Sequence, residues 1–500
     1  MSRPTVPSPP TVPAEPTAPS GEAEPIDAAL LRIAGVVVLG VIMSILDVTV
    51  VNVALPTFQH TFADAGRPAS YTAVAWTVTA YTLAMAAVIP LTGWAAGRFG
   101  TKRPFMLAVA LFTAGSVLCA CAPSIEVLIG FRVLQGLGGG MLMPLGMTIV
   151  TRAAGPGRIG RLMSILGVPM LLGPIAGPIL GGWLIETASW HWIFLINLPL
   201  GVVTLVCAWF ALPADRANAA ESLDLVGLVL MSPGLALFLY GVSSVPDHHT
   251  MASPKVYWPM IAGAALMSAF VVRTLRSRGP LLDLRLLRNR ELSASVGALF
   301  LFSAAFFGGL LLVPTYFQEV RGETTLTSGL LLAPQGLGAM VAMTVSGRLS
   351  DRIPIGRIAP LGLALSAIGM LSLTWVSSDS PYWTYLIPAL FVMGLGMGTG
   401  MMPLFTAALH TLRHHEVAHG TTMVSISRQL ATSCGVALMS TLLANDALRH
   451  GLVHAFGHAY LVAAVLMLTA FVPLYFLPRT PRTPRAAAGS RADATVVAKP

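Results

Sequence analysis

The sequence predicts an all-α, multi-pass membrane protein of fourteen helices, grouped as six, two and six. Composition is the first reason: of 500 residues, 55% are hydrophobic and only 10% charged, with a mean hydropathy of +0.75, values outside the range of soluble globular chains. The second is a succession of apolar runs, over 31–55, 71–95, 104–122, 126–150, 162–185, 192–212, 225–245, 258–274, 293–317, 327–347, 358–376, 384–408, 420–443 and 459–477. At about 1.5 Å per residue, each is long enough to cross ~30 Å of hydrocarbon. The third is the placement of charge. Of the 30 Lys and Arg, only Arg67, Lys255, Arg321 and Arg449 fall on the loops of one side, Arg132 and Arg428 fall inside helices, and all the others share the side of the termini. Basic loops stay in the cytoplasm, so both termini are expected there, in a chain of the cell membrane. The formal charge of +9 is thereby a topology signal, and no nucleic-acid partner is expected.

The expected organisation is a Pro-rich disordered tail over 1–27, an N-terminal six-helix bundle over 28–212, a two-helix insert with a basic loop over 213–291, a C-terminal six-helix bundle over 292–478 and a basic disordered tail over 479–500. The first 25 residues hold eight prolines and almost no large apolar side chains, too little to bury a core. The run that follows is too long for a signal h-region and is expected to stay as the first helix. Cys119, Cys121, Cys207 and Cys434 all fall in apolar segments, so neither a disulfide framework nor a redox or metal site is expected, and no cofactor.

Helix 1 carries the most informative stretch, Leu46-Asp-Val-Thr-Val-Val-Asn-Val-Ala-Leu-Pro56, which puts the carboxylate of Asp47 deep in a lipid-spanning run. A carboxylate there is costly and normally marks an ion, proton or substrate path; the alternative is a buried structural network. Arg132, in helix 4, lies at a matching depth, both groups being ~10–12 Å below the outer boundary by helical rise. The two are therefore expected to pair. Gln135, three residues on, shares the helical face of Arg132 and extends the polar patch.

Two turns repeat a pattern. Gly93-Trp-Ala-Ala-Gly-Arg-Phe-Gly100 follows helix 2 and Gly347-Arg-Leu-Ser-Asp-Arg352 follows helix 10, so the chain has two related halves. The first copy offers Gly93, Gly97, Arg98 and Gly100 as gating positions, the second Gly347, Asp351 and Arg352. Helix 5 is a ladder of small residues and prolines, including Gly173, Pro174, Gly177 and Gly181, a pattern for close helix contact and bending. Candidates for lining a substrate cavity are Asn52, Gln135, Trp76 and Tyr81 in the first half, with Phe306 from aromatic helix 9 and Met397 and Met401 from the Gly/Met run of helix 12 in the second. Flexible thioethers beside glycines suit varied apolar ligands. Arg428-Gln429 lies inside helix 13, and the sequence names no partner for that arginine. His415-Glu-Val-Ala-His419 fits the helical zinc-protease pattern but lacks a clear third ligand.

These residues together resemble the major facilitator superfamily, and within it the fourteen-helix drug:proton antiporter branch, over roughly residues 28–478. The helix 1 stretch looks like that branch's signature, the Gly/Arg turns like the superfamily's loop motif, Arg132 with Gly136 like its helix 4 motif, and Gly173-Pro174 through Gly181-Gly182 like the motif associated with antiporters. Gly97 departs from the loop motif, which carries Asp there; Asp351 keeps it. The resemblance implies two pseudo-symmetric bundles around a central cavity, with the pair over roughly 224–274 inserted and peripheral. The function expected is proton-coupled export of amphipathic small molecules such as antibiotics or antiseptics, by a monomer, with Asp47 and Arg132 carrying the coupling. A single deep carboxylate points to neutral or monocationic amphiphiles. The alternatives are a dedicated exporter of one endogenous metabolite and a membrane-embedded metalloprotease using His415, Glu416 and His419. No nucleotide-binding loop is present, which argues against an ATP-driven pump.

Overall fold

The computed structural model describes residues 27–477, except for 64–68, 155–161, 163–166, 168–172, 174, 175, 178, 214–222, 246–252, 278, 279, 351, 352, 411, 414 and 415. Both tails, and with them Pro174, Asp351, Arg352 and His415, lie outside the described residues.

The first half runs α1 (Ala28–Thr61), α2 (Tyr71–Phe99), α3 (Lys102–Ala120), α4 (Ile125–Ala154), α5 (helical over 179–187) and α6 (Trp192–Ala211). Two helices follow, α7 (Leu225–Ser243) and α8 (Pro254–Arg276). The second half runs α9 (Arg290–Glu319), α10 (Thr327–Gly347), α11 (Gly356–Trp375), α12 (Tyr382–His410), α13 (Val417–His450) and α14 (Leu452–Leu474). Among the described residues no strand occurs, and twelve helices have the length and composition to cross a membrane. The count of fourteen is not reached on that measure, for two physical reasons. Helix α13 is 34 residues long but too polar, holding Thr421, Thr422, Ser425, Arg428 and Gln429 in its first half. The fifth run is described only in part.

In the first half α4 is central, packed on α1, α2 and α3; in the second, α12 packs on α10 and α11 while α9 packs on α13 and α14. Glycine sets the closest of these approaches. A Cβ on Gly136 or Gly140 would run into the α2 backbone at Tyr81 or Met85, so α4 can sit on α2 only where those side chains are missing. The halves meet where α13 lies against α2 and α4. Helix α7 leans on both α2 and α13, whereas the most apolar stretch of α8 is only 17% buried, so of the extra pair α8 is peripheral and α7 borders the seam.

Asp224 ties that pair together. Its Oδ1 accepts the Gly227 N–H at 2.9 Å, capping α7, and the Arg273 Nη2 donor of α8 at 2.8 Å. Burial raises its pKa, but the Arg273 bond and the Gly227 N–H outweigh this and hold the carboxyl below its ordinary value. A depressed folded-state pKa contributes stability above the unfolded-state value of about 4, and this is lost as pH falls through the folded one. Asp224→Asn should therefore flatten the acid limb of a thermal-unfolding profile in detergent. With Arg273 40% exposed, the loss at neutral pH should stay under about 1 kcal/mol. Superimposable profiles between pH 7 and 3 for wild type and variant would contradict this.

The basic segment after α8 forms no long amphipathic helix over its described residues. It is a short 3-10 turn, Leu284–Arg288, preceded by Leu281 and Leu282, each 2% exposed.

Candidate functional site

Two buried residues from different helices carry opposite charge at the centre of the first half. Asp47 of α1 is 2% exposed and Arg132 of α4 is 0% exposed. Arg132 Nη1 donates to Asp47 Oδ2 at 2.5 Å and to Gln135 Oε1 at 2.7 Å, and Gln135 Nε2 donates to Asp47 Oδ1 at 2.7 Å. Arg132 Nε donates to the Thr77 carbonyl at 3.0 Å. The guanidinium lies 4.0 Å from the ring centroid of Tyr81, a cation–π contact that gains strength where water is absent. Both carboxylate oxygens of Asp47 thus already accept a hydrogen bond.

A cavity of 220 Å³ lies one helical turn away, at the seam. The first half supplies Ser44, Met85 and Met143 among its walls, and the second half Phe307, Leu310 and Arg428. Ser44 belongs to both sites, since its Oγ shares a 3.1 Å hydrogen bond with the Tyr81 hydroxyl. The chain of contacts from the cavity to the charges is therefore Ser44, Tyr81, Arg132, Asp47.

At the face where α1 begins, which we term the near face, the halves are joined by hydrogen bonds. Thr92 Oγ1 meets Thr422 Oγ1 at 2.9 Å, and Thr148 Oγ1 meets Thr421 Oγ1 at 2.6 Å. Gly93 is packed under the same segment of α13, a Cβ there falling 3.0 Å from Thr422 Oγ1 and 3.4 Å from His419 Nδ1. Toward the far face, one apolar cluster that includes Val50, Phe58, Val74, Leu128 and Phe194 draws only on the first half. Among the described residues, cross-half hydrogen bonds thus lie at the near face, and the far-face cluster stays within one half.

Residues 37–436 match the major facilitator superfamily. The chain belongs to that superfamily. It is 43% identical over 496 residues to the multidrug resistance protein B homolog of Mycobacterium tuberculosis (strain ATCC 25618 / H37Rv), with 91% of each chain covered. It is 30% identical over 427 residues to the multidrug export protein EmrB of Haemophilus influenzae (strain ATCC 51907 / DSM 11121 / KW20 / Rd), covering 84% of this chain and 82% of that one. The solved structure of the proton:xylose symporter XylE superposes with a TM-score of 0.64 at 15% identity, over 91% of this chain and 97% of that one, which shows the fold alone. As a member of the superfamily the chain is a multi-pass membrane transporter of small molecules, not an enzyme.

Within this facilitator fold, Asp47, Arg132, Gln135 and Tyr81 come together in one cluster. The glycine ladder of the fifth run faces α1: Cβ atoms on Gly173 and Gly177 would collide with Ile45 and Thr49, and one on Gly181 would stand 3.2 Å from Val50. The ladder thus grips α1 on both sides of Asp47. Gly100 turns the chain after α2 with φ +77°, Gly97 and Arg98 are half-buried, and Gly347 is buried.

The cavity candidates fare less evenly. Trp76 is 37% exposed, stacks on Tyr240 of α7 with ring centroids 5.6 Å apart, and is not among the residues lining the 220 Å³ cavity. Phe306 is fully buried against Phe302 at 5.6 Å, and its neighbour Phe307 faces the cavity. Met397 and Met401 are 3% and 0% exposed inside the second half, and Asn52 is exposed on α1; none of the three lines the cavity. Sequence reasoning missed Ser44, Phe307 and the two threonine pairs. A single Ser or Thr in an apolar helix carries no mark that separates a cross-half bond from one to its own backbone.

Of the zinc-protease pattern, Glu416 accepts the Arg413 N–H at 2.8 Å and His419 packs beside Gly93. Its described residues serve the helix start and the seam, and the superfamily accounts for the chain as a transporter.

Proposed function

We propose that this transporter is a proton-coupled exporter of amphipathic small molecules, acting as a monomer in the cell membrane with both termini in the cytoplasm. The two halves would span 28–212 and 292–478, with 213–291 inserted between them. The names of the multidrug relatives support the substrate class, and the skew of Lys and Arg supports the orientation. One observation carries the coupling: a carboxylate whose two oxygens both accept buried hydrogen bonds lies one Ser44–Tyr81 contact from a cavity that both halves build.

The mechanism follows from donors and acceptors. A proton arriving on either oxygen of Asp47 turns an acceptor into a donor that faces a donor, Arg132 Nη1 on one side or Gln135 Nε2 on the other. Two donors in contact repel, and an unsatisfied buried polar group costs about 1–3 kcal/mol. The cluster must therefore rearrange, and its two helices also supply cavity wall, through Ser44 and Ile45 of α1 and Met143 and Pro144 of α4. Proton occupancy is in this way expressed as cavity shape, and by linkage each ligand weakens the other by one factor. Rocking of the halves, with the near-face threonine pairs opening, would expose the cavity to the cytoplasm.

The test is purified protein in proteoliposomes containing a pH-reporting dye. Addition of a transported amphiphile should move protons in the opposite direction, above the leak of protein-free vesicles. Amphiphile flux with no accompanying proton movement would refute coupling while leaving transport in place.

A further inference from the structure

We infer that the cavity selects an anionic amphiphile, an apolar body bearing a carboxylate, sulfonate or phenolate, with Arg428 as the counter-charge. The inference rests on the exporter reading and adds the substrate's charge to it.

The two membrane-embedded arginines are treated differently. Arg132 donates through Nη1 to Asp47 and the Gln135 side-chain oxygen and through Nε to the Thr77 carbonyl, the kind of pairing that a buried cation requires in a low-dielectric interior. Arg428 sits eleven residues into α13, ~16 Å by helical rise and therefore near mid-bilayer. Among the described residues it has no hydrogen bond, ion pair or ring contact. It is half-buried and lines the 220 Å³ cavity. A cation this deep is costly without a partner and normally marks a substrate or ion path. A counter-charge that arrives and departs with the cargo satisfies that requirement.

The surroundings fit such a cargo. Ser425 and Gln429, on the same helix, offer further donors beside Arg428, and Met85, Met143, Phe307 and Leu310 provide apolar walls. The charges of Asp47 and Arg132 cancel across their 2.5 Å ion pair, so among the described residues the cavity and its neighbouring cluster carry one net positive charge. A cationic amphiphile would meet repulsion there, the reverse of the charge that Asp47 alone suggested. Competition between an anion and a proton cannot be charge repulsion, which agrees with linkage through the rearranging Asp47 cluster.

The experiment compares three probes with one aromatic body: 1-naphthoate, 1-naphthamide and 1-naphthylmethylammonium, by equilibrium dialysis against the full chain in nanodiscs at pH 7. The naphthoate should bind about tenfold or more tighter than the amide, the scale of one charge-assisted hydrogen bond, and the ammonium should bind weakest. Arg428→Gln should erase the naphthoate preference, and Arg428→Lys should retain part of it by keeping the charge. Chloride or phosphate at the naphthoate concentration should not displace the probe. The inference is overturned if the wild type binds the ammonium as well as the naphthoate, binds none of the three, or releases naphthoate to phosphate as readily. It is also overturned if folded Arg428→Gln keeps the preference. Should that variant fail to fold, the ranking in the wild type and in Arg428→Lys decides. Naphthoate binding without proton flux in vesicles would remove the coupling and leave this inference standing.

Discussion

Asp47→Asn should abolish uphill export driven by a pH gradient in proteoliposomes, while downhill movement of the same amphiphile survives. The asparagine cannot titrate, so the proton-dependent difference between the two cavity states disappears. The substitution is not innocent toward the fold. Asp47 accepts from Gln135 Nε2 and from Arg132 Nη1, both across short distances of 2.7 and 2.5 Å, and the amide nitrogen of asparagine can accept from neither. One donor is then left facing another, at a cost of about 1–3 kcal/mol. The control is the double variant Asp47→Asn, Gln135→Glu, which restores the negative charge beside Arg132. Gln135 Oε1 already lies 2.7 Å from Arg132 Nη1, so a carboxylate there keeps the ion pair, and the introduced asparagine can donate to it. The double variant should regain stability in detergent. Uphill export by folded Asp47→Asn at the wild-type rate would eliminate Asp47 as the coupling site.

How far such a site can be read from sequence depends on which coordinate of the helix matters. Depth along the axis follows from counting residues at a fixed rise, and for this reason the meeting of Asp47 with Arg132 was legible without coordinates. Rotation about the axis was not. Phe306 and Phe307 differ by one residue, or about 100°, and in a helix apolar on nearly every side nothing in the pattern fixes which of them faces a cavity. The structure buries Phe306 against Phe302 and turns Phe307 inward. The facing of Trp76 was equally illegible: its ring stacks on Tyr240 of the extra pair. The glycine ladder was readable as a contact surface, yet its partner, the α1 face of Ile45, Thr49 and Val50, required the fold. Helix α13 shows the opposite case. The polarity that sets it apart from the twelve apolar spans is the same feature, Thr421, Thr422, Ser425 and Arg428, that builds the seam and the cavity.

Removing the other member of the pair should have the largest effect on stability. Arg132→Met leaves Asp47, 2% exposed, with Gln135 Nε2 as its one remaining donor among the described residues, and strips the Thr77 carbonyl and the Tyr81 ring of their cation. Breaking a buried ion pair from one side costs about 3–5 kcal/mol, because the orphaned charge stays where it cannot be solvated. Arg132→Met should therefore accumulate poorly in the membrane and unfold at a much lower temperature in detergent. Arg132→Lys should fall between, since an ammonium lacks the planar fork that reaches Asp47 and Gln135 through Nη1 and Thr77 through Nε at once. Adding Asp47→Asn to Arg132→Met removes both charges and lets the Oδ1 of the introduced asparagine accept from Gln135, so the double variant should recover most of the loss. The cycle of the two single variants and the double should then give a coupling energy of at least about 2 kcal/mol. The recovered protein should still fail to export uphill, since it has stability without a titrating group. A cycle with no coupling, or an Arg132→Met protein as stable as wild type, would mean that the 2.5 Å pair does not hold these two helices together.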